Sequence, residues 1–452
     1  MSKTSSFDVF SSPVVIVVPE SPLPITQSDM SVEIHYADIA QDAPITASDL
    51  AGVLIQVKGK MHVRGDATAS LPKKQYGVKL HHEPQSGHFL GMEHGGKHWV
   101  FNDCGAVDYT LLRNVLAFTM QRALGQYAPQ YKFFELFVFD PGFDLSNISA
   151  STLGDAYQGL YLNFDKIRFE SARVQAPQDW KSQGSAYAII QANQSSAKYL
   201  SLAPSPPLTG NVEIYEPELK DLTEAEQGDF TRWYIDSTLT HGWAGRFAQL
   251  YSNYVASTPP SPIPESDFPP IRSSTDYASF AAYFVLNEIA KDPDGYHKST
   301  FMVKRQDTCF AGPLWDKNKS YGNKASCSGY PNDYVSPEGW LFSLAGQSPC
   351  WWHVMIRDPQ FQQTVQAYWK LLLAELSINP LQGDWIDALI DSQVQDLNTS
   401  GALARDSARW PSAFNQGGAY ATQVAQLKNY LCERVAWIDN NLTSMLASYQ
   451  AS

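Results

Sequence analysis

Cysteine is scarce. The 452 residues hold five, Cys104, Cys309, Cys327, Cys350 and Cys432, with no CxxC pair. So odd and scattered a set signals neither a zinc site nor a dense disulfide framework. Buried free thiols are one reading, because a free cysteine packs as a small hydrophobe. A bridge among Cys309, Cys327 and Cys350 is the other. Positive charge is also short: 33 Lys and Arg stand against 46 Asp and Glu, a net charge of -13. A general nucleic-acid binder needs clustered cations to neutralise phosphates, so that class is disfavoured, although an isolated basic pocket is not. Long apolar runs are missing as well. The longest early one, Pro13 to Pro19, is too short to cross a bilayer, and no basic stretch leads into a long apolar core. No membrane span and no signal peptide are expected, which makes the cytoplasm the default location.

Several motifs are absent. There is no G-x-S-x-G elbow, no HExxH and no G-x-G-x-x-G loop. His81-His82 with Glu83, and His94 with His98, offer no convincing third metal ligand and read as exposed loop histidines. No internal repeat is found.

What is present is apolar and aromatic: 44% hydrophobic and 13% aromatic residues, with 12 Trp, 23 Tyr and 22 Phe. That much apolar surface can offset ordering entropy, and a chain this long is expected to divide into two lobes. Residues 1–45 read as a tail feeding one or two strands, through VVIVV and SVEIHYA. Residues 46–175 read as a β-rich lobe, with strands in LIQVKGKMHVRG, KQYGVKL, FFELFVF and GLYLNFDK and a helix from about Tyr109 to Leu124 capped by Asp108. Residues 176–270 are richer in Ser, Gln and Pro, carry a helix near Ala225 to Tyr234, and end in the Pro-dense TPPSPIPESDFPP, a linker or lid. Residues 271–452 read as mainly helical, opening with the almost wholly apolar YASFAAYFVLNEIA.

The most informative stretch runs from Tyr283 to Asn323. A buried helix ends at a short acidic loop, a β-like STFMVK follows, and after another turn comes LWD and a glycine. Phosphoryl transfer needs one carboxylate to orient or deprotonate the acceptor and another to hold Mg²⁺ against phosphates. Asp294 is the candidate base and Asp316 the candidate metal ligand. By spacing alone the signal is weak, since loop aspartates commonly serve caps and turns.

Taken in order, several segments resemble the spore coat protein H (CotH) family of atypical protein kinases. They are Arg64, Gly65, Pro72, Lys73, Lys74 and Lys79 in MHVRGDATASLPKKQYGVKL; Arg113 and Asn114 in DYTLLRNVLAFTM; YQGLYLNFDKI; the loop Asp292-Pro293-Asp294-Gly295-Tyr296-His297-Lys298-Ser299; and Pro313-Leu314-Trp315-Asp316-Lys317-Asn318-Lys319-Ser320-Tyr321-Gly322, which matches P-x-W-D-x-D-x-x-x-G. The resemblance implies an α+β, atypical bilobal protein-kinase-like fold, with a β-rich N-terminal lobe and a mainly α C-terminal lobe. It implies ATP and Mg²⁺ or Mn²⁺ as cofactors, and transfer of phosphate to Ser or Thr of a protein or peptide, as in spore coat assembly. Relatives include exported and coat proteins, so export or coat association is the alternative location.

Under that resemblance Lys79, then Lys74, with Arg64 and Asp165, are the expected nucleotide contacts, and Arg113 and Asn114 brace the cleft. Asp316, Asn318 and Ser299 are the expected metal ligands. Two positions depart from the pattern: Asn318 stands where a second aspartate is usual, and Ser299 stands five residues after Asp294, where kinases place an asparagine. They leave open another ATP-dependent modification, such as adenylylation, or a non-catalytic pseudokinase with a binding or coat-assembly role.

Overall fold

The computed structural model describes residues 7–65, 67–84, 88–103, 107–170, 172–193, 196–202, 211–235, 242–324, 329–344, 351–411 and 419–450. The chain folds as α+β and divides into two compact units, one of residues 1–112, 129–174 and 387–425, the other of residues 113–128, 175–386 and 426–452. No helix among the described residues is long and apolar enough to cross a membrane.

The first unit is a closed seven-stranded barrel. Its strands are β1 (Val14–Pro19), β2 (Met30–Ala37), β3 (Ile55–Arg64), β4 (Gln75–Leu80), β5 (His98–Asn102), β6 (Tyr131–Val138) and β7 (Tyr157–Asp165), in the order β1-β2-β3-β4-β5-β7-β6. The ring closes through a parallel pairing of β1 with β6, Val15 opposite Leu136. Alternation decides which side chains fill it: Val32, Ile34 and Tyr36, then Tyr76, Val78 and Leu80, then Trp99 and Phe101 point inward. β1 is apolar throughout because it is covered twice. Val15 and Val17 face the interior, while Val14, Ile16 and Val18 pack beneath Phe10, Leu153 and Tyr157.

A helix, Ala402–Arg409, clasps β7 from outside. Asp406 accepts from the Leu160 N–H at 2.9 Å and from Lys73 Nζ at 2.9 Å, Arg409 Nε donates to the Tyr157 carbonyl, and Trp410 Nε1 donates to that of Gln158. Gly159 lies at φ +126°, and a Cβ there would stand 2.4 Å from Asp406 Oδ1. Arg405 grips the buried Glu135 with two nitrogens at 2.6 and 2.7 Å, and Ser12 Oγ donates to the same carboxylate. The Asp108 carboxylate accepts from the Thr110 N–H and hydroxyl, and Leu111 follows at φ +65°. Asp108 therefore closes a local turn instead of capping a helix, and helical structure starts at Arg113, not Tyr109.

The second unit combines helices with a five-stranded antiparallel sheet. The sheet strands are β8 (Tyr187–Asn193), β9 (Leu200–Leu202), β10 (Asn211–Glu216), β11 (Thr300–Arg305) and β12 (Thr308–Ala311), ordered β9-β10-β8-β11-β12. Residues 176–270 thus supply three strands along with the Glu224–Tyr234 helix, which starts on a Thr223/Glu226 capping box. The Tyr277–Ala290 helix is buried on every face, as its composition predicts; Asp276 caps it by accepting from the Ser279 N–H. Cys309 is a fully buried thiol on β12. Cys104, Cys327 and Cys350 lie outside the described residues.

Candidate active site

The acidic loop is shaped by where the Tyr277–Ala290 helix stops. Lys291 adopts a left-handed conformation at φ +47°, and its N–H returns to the Asn287 carbonyl. Asp292 then turns inward. Its Oδ1 accepts from the Asp294 N–H at 2.9 Å, and its carbonyl from the Gly295 N–H. Four residues on from Asp292, Tyr296 donates to Glu288 at 2.9 Å. Glu288, itself buried, also accepts from the N–H groups of Leu341 and Phe342 and pairs with Arg434 at 3.2 Å. Pinned at both ends, the loop holds Asp294 half-buried with its side chain 17% exposed.

The β11–β12 hairpin carries the chain to the second loop, where Trp315 packs edge-on against Phe301. Asp316 follows at φ +55° and is exposed. Its Oδ1 accepts from Asn318 Nδ2 at 2.7 Å. The carbonyl oxygen of that same amide accepts from Asn114 Nδ2 at 2.9 Å, and Asn114 Oδ1 accepts from the Lys317 N–H at 2.8 Å. Arg113 Nε donates to the Ser320 carbonyl, and Gln121 Oε1 accepts from the Leu314 N–H. One face of the Arg113–Ala123 helix thereby fixes the backbone on both sides of Asp316.

Two lysines alternate with these residues. Lys317 is fully buried and pairs with Asp292 at 3.2 Å; Lys319, with 34% of its side chain exposed, pairs with Asp294 at 3.2 Å. Burial works against each ammonium. The facing carboxylates outweigh it and hold both lysine pKa values above the ordinary range. Burial raises the Asp292 carboxyl, against the pull of Lys317. Tyr330 covers Lys319, its ring centroid 5.4 Å from Nζ and its hydroxyl 3.5 Å from Asp294 Oδ1.

The structure therefore brings Asp316 and Asn318 together and sets Asp294 beside the neighbouring loop's Lys319. Ser299 is half-buried at φ +49°, and its hydroxyl has no hydrogen-bond partner among the described residues. No three His, Cys, Asp or Glu side chains among the described residues converge as a metal cage. Mg²⁺ does not require one, because it is commonly held by one or two carboxylates together with substrate phosphates and water. Asp316, exposed and oriented by an amide, fits that minimal role.

The remaining expected residues belong to the barrel unit. Lys79 is exposed on the outside of β4, opposite Lys60 on β3 and His98 on β5. Arg64 ends β3 opposite Gln75, and Lys74 donates to the Ala69 carbonyl at 2.9 Å. Asp165 is fully buried and accepts from His94 Nδ1 at 2.5 Å and the Gln130 N–H at 3.2 Å. His98 is likewise no exposed loop residue: it sits on β5 with Nδ1 2.5 Å from Glu170. Lys73, which the motif contains but no role singled out, is 3% exposed, and its ammonium lies between Asp406 and Asp103. Lys317, Lys319 and the Glu288–Arg434 knot also escaped the sequence. The lysines occupy positions that the motif leaves open, and Arg434 lies 146 residues beyond its partner.

No curated protein matches the sequence. The family model described as CotH kinase protein matches residues 61–438, a span that holds both carboxylate loops and the basic β3–β4 turn, and the chain belongs to that family.

Proposed function

We propose that this chain is an ATP- and divalent-metal-dependent protein kinase, which moves the terminal phosphoryl group of ATP to a Ser or Thr hydroxyl of a protein or peptide. The barrel unit takes the part of the nucleotide-binding lobe of a kinase-like bilobal fold, and the second unit that of the catalytic lobe. The observation that carries this reading is the pair of braced loops. Each holds one carboxylate accessible, Asp294 or Asp316, on backbone fixed by buried polar contacts.

In this mechanism Asp294 orients the acceptor hydroxyl and takes its proton. Asp316 holds the metal, aimed by Asn318 and, through it, by Asn114. A bound divalent ion supplies neutralisation of charge on the phosphate oxygens. Asn318 acts as a donor to Asp316, since its own oxygen is engaged by Asn114, and the Ser299 hydroxyl is the further oxygen offered to the ion. Lys79 and Arg64 supply cations for the phosphates. Lys74 and Asp165 act through the turn and strand they hold.

The test is γ-phosphate transfer to candidate proteins with Mg²⁺ or Mn²⁺. Asp294→Ala and Asp316→Ala are each expected to lower turnover at least about a hundredfold, and unchanged turnover in both removes these roles. An acceptor whose intact mass rises by a nucleotidyl group, not a phosphoryl group, replaces this reaction with adenylylation on the same residues. The engaged oxygen of Asn318 favours one second reading, a pseudokinase that binds nucleotide without turnover; tight, metal-dependent binding followed by transfer rejects it.

A further inference from the structure

Resting on the kinase reading, we propose that Lys319 is a catalytic residue, a clamp that holds the terminal phosphoryl group of the nucleotide beside Asp294. The four charges next to Asp316 sort into two pairs of different character. Asp292 and Lys317 are both buried, so that pair is internal and serves the loops. Asp294 and Lys319 are both accessible, with side chains 17% and 34% exposed. Lys319 is also carried on fixed backbone, between an Asn318 whose carbonyl accepts from Asn323 Nδ2 and a Ser320 whose hydroxyl donates to the Lys317 carbonyl. A partly exposed side chain on a rigid base suits a ligand contact better than a structural tie.

The chemistry of the base demands a second partner for this ammonium. A cation held at 3.2 Å from Asp294 Oδ2 occupies one side of the carboxylate on which an acceptor hydroxyl must dock. Shared with a phosphate oxygen, the same cation leaves Asp294 free to accept the proton and ties the acceptor's partner to the electrophile. Attacking oxygen and phosphorus are then brought into reach by one group. In the step, the acceptor oxygen forms a bond to the γ-phosphorus and the bond from that phosphorus to the β–γ bridging oxygen breaks. The electron pair leaves with ADP, and the acceptor proton passes to Asp294. Lys319 stays protonated throughout. Among the described residues Asp316 has no cationic side chain paired with it, so the loop keeps one carboxylate for the metal and one lysine for the phosphoryl oxygens.

ATP and ADP differ by the group that Lys319 is inferred to hold, so binding tests the clamp without turnover. Calorimetric titration of the full chain with each nucleotide in Mn²⁺ is expected to show Lys319→Met weakening ATP at least about tenfold, the worth of one charge-assisted hydrogen bond, with ADP affinity unchanged. Lys319→Arg, which keeps the charge, is expected to restore most of the ATP affinity. Equal losses for ATP and ADP, or no loss for either, overturn the clamp. Unchanged ADP binding by Lys319→Met also certifies that the variant is folded. A wild-type chain that binds neither nucleotide overturns the kinase reading itself, a result distinct from the others.

Discussion

Replacing either member of the buried Asp292–Lys317 pair is expected to be among the most destabilising polar changes in the second unit. At 3.2 Å two unit charges attract by about 5 kcal/mol at an effective dielectric of about 20. Removal of one partner strands the other out of water, at a cost of about 3–5 kcal/mol. Lys317→Met leaves a buried carboxylate with the Asp294 N–H still donating to it; Asp292→Asn leaves a buried ammonium. The double variant removes both charges and is expected to recover to within about 2 kcal/mol of the parent, because well-packed neutral replacements of buried pairs are often nearly neutral. The assay is a double-mutant cycle by urea unfolding. Two units need not unfold as one step, so circular dichroism and tryptophan fluorescence are followed together and the shift is read from the transition it moves. Single variants that each cost less than about 1 kcal/mol, and add to give the double, would refute the reasoning. They would show that the Asp292–Lys317 pair does not hold the two loops together.

Two other consequences bear on stability. Gly159→Ala is expected to cost at least about 2–3 kcal/mol, through strain at φ +126° and displacement of the buried Asp406. Gly142→Ala, also at positive φ but facing open space, is expected to cost only about 1 kcal/mol; equal denaturation midpoints for the two would contradict this. His353 sets a pH dependence. Burial, with Arg357 adding repulsion, lowers its pKa from 6.5 to about 4. The unfolded chain therefore binds a proton that the folded chain resists, so stability is full above pH 6.5 and falls towards pH 4, by about 3 kcal/mol in all. In His353→Phe that part of the acid slope, read from urea midpoints across this range, is expected to vanish.

Six of the seven barrel strands were legible as β-prone runs, β5 going unread, and alternation places Lys79 outside: with Tyr76, Val78 and Leu80 inward, residue 79 must face out. Closure was not legible. The parallel β1–β6 pairing joins residues more than a hundred positions apart and leaves no local mark. β8 to β10 were missed because they are set among Ser, Gln and Pro. The helix start at Arg113 was missed because the Asp108 carboxylate serves a turn whose geometry spacing does not reveal. At the site, Asp294 and Asp316 came from motif order. Which lysines stand against them is a matter of burial, which spacing does not encode, and the Asn114 brace depends on a helix some 200 residues upstream.

The Lys73–Asp406 contact sets a timetable for the molecule's birth. Lys73 is made 333 residues before Asp406, the nearer of the two carboxylates beside its ammonium. At ordinary ribosomal speeds this is an interval of roughly 20–70 s. Once Asp165 has been made, the nascent barrel has every strand it needs but still holds a lysine whose interior position lacks this counter-charge. Burying that ammonium early is costly, so the β3–β4 turn has reason to stay open until the Ala402–Arg409 helix emerges. A chain cut short before residue 402 is expected to carry all seven strands without the clasp that fastens them, and to be an early client of chaperones and proteases.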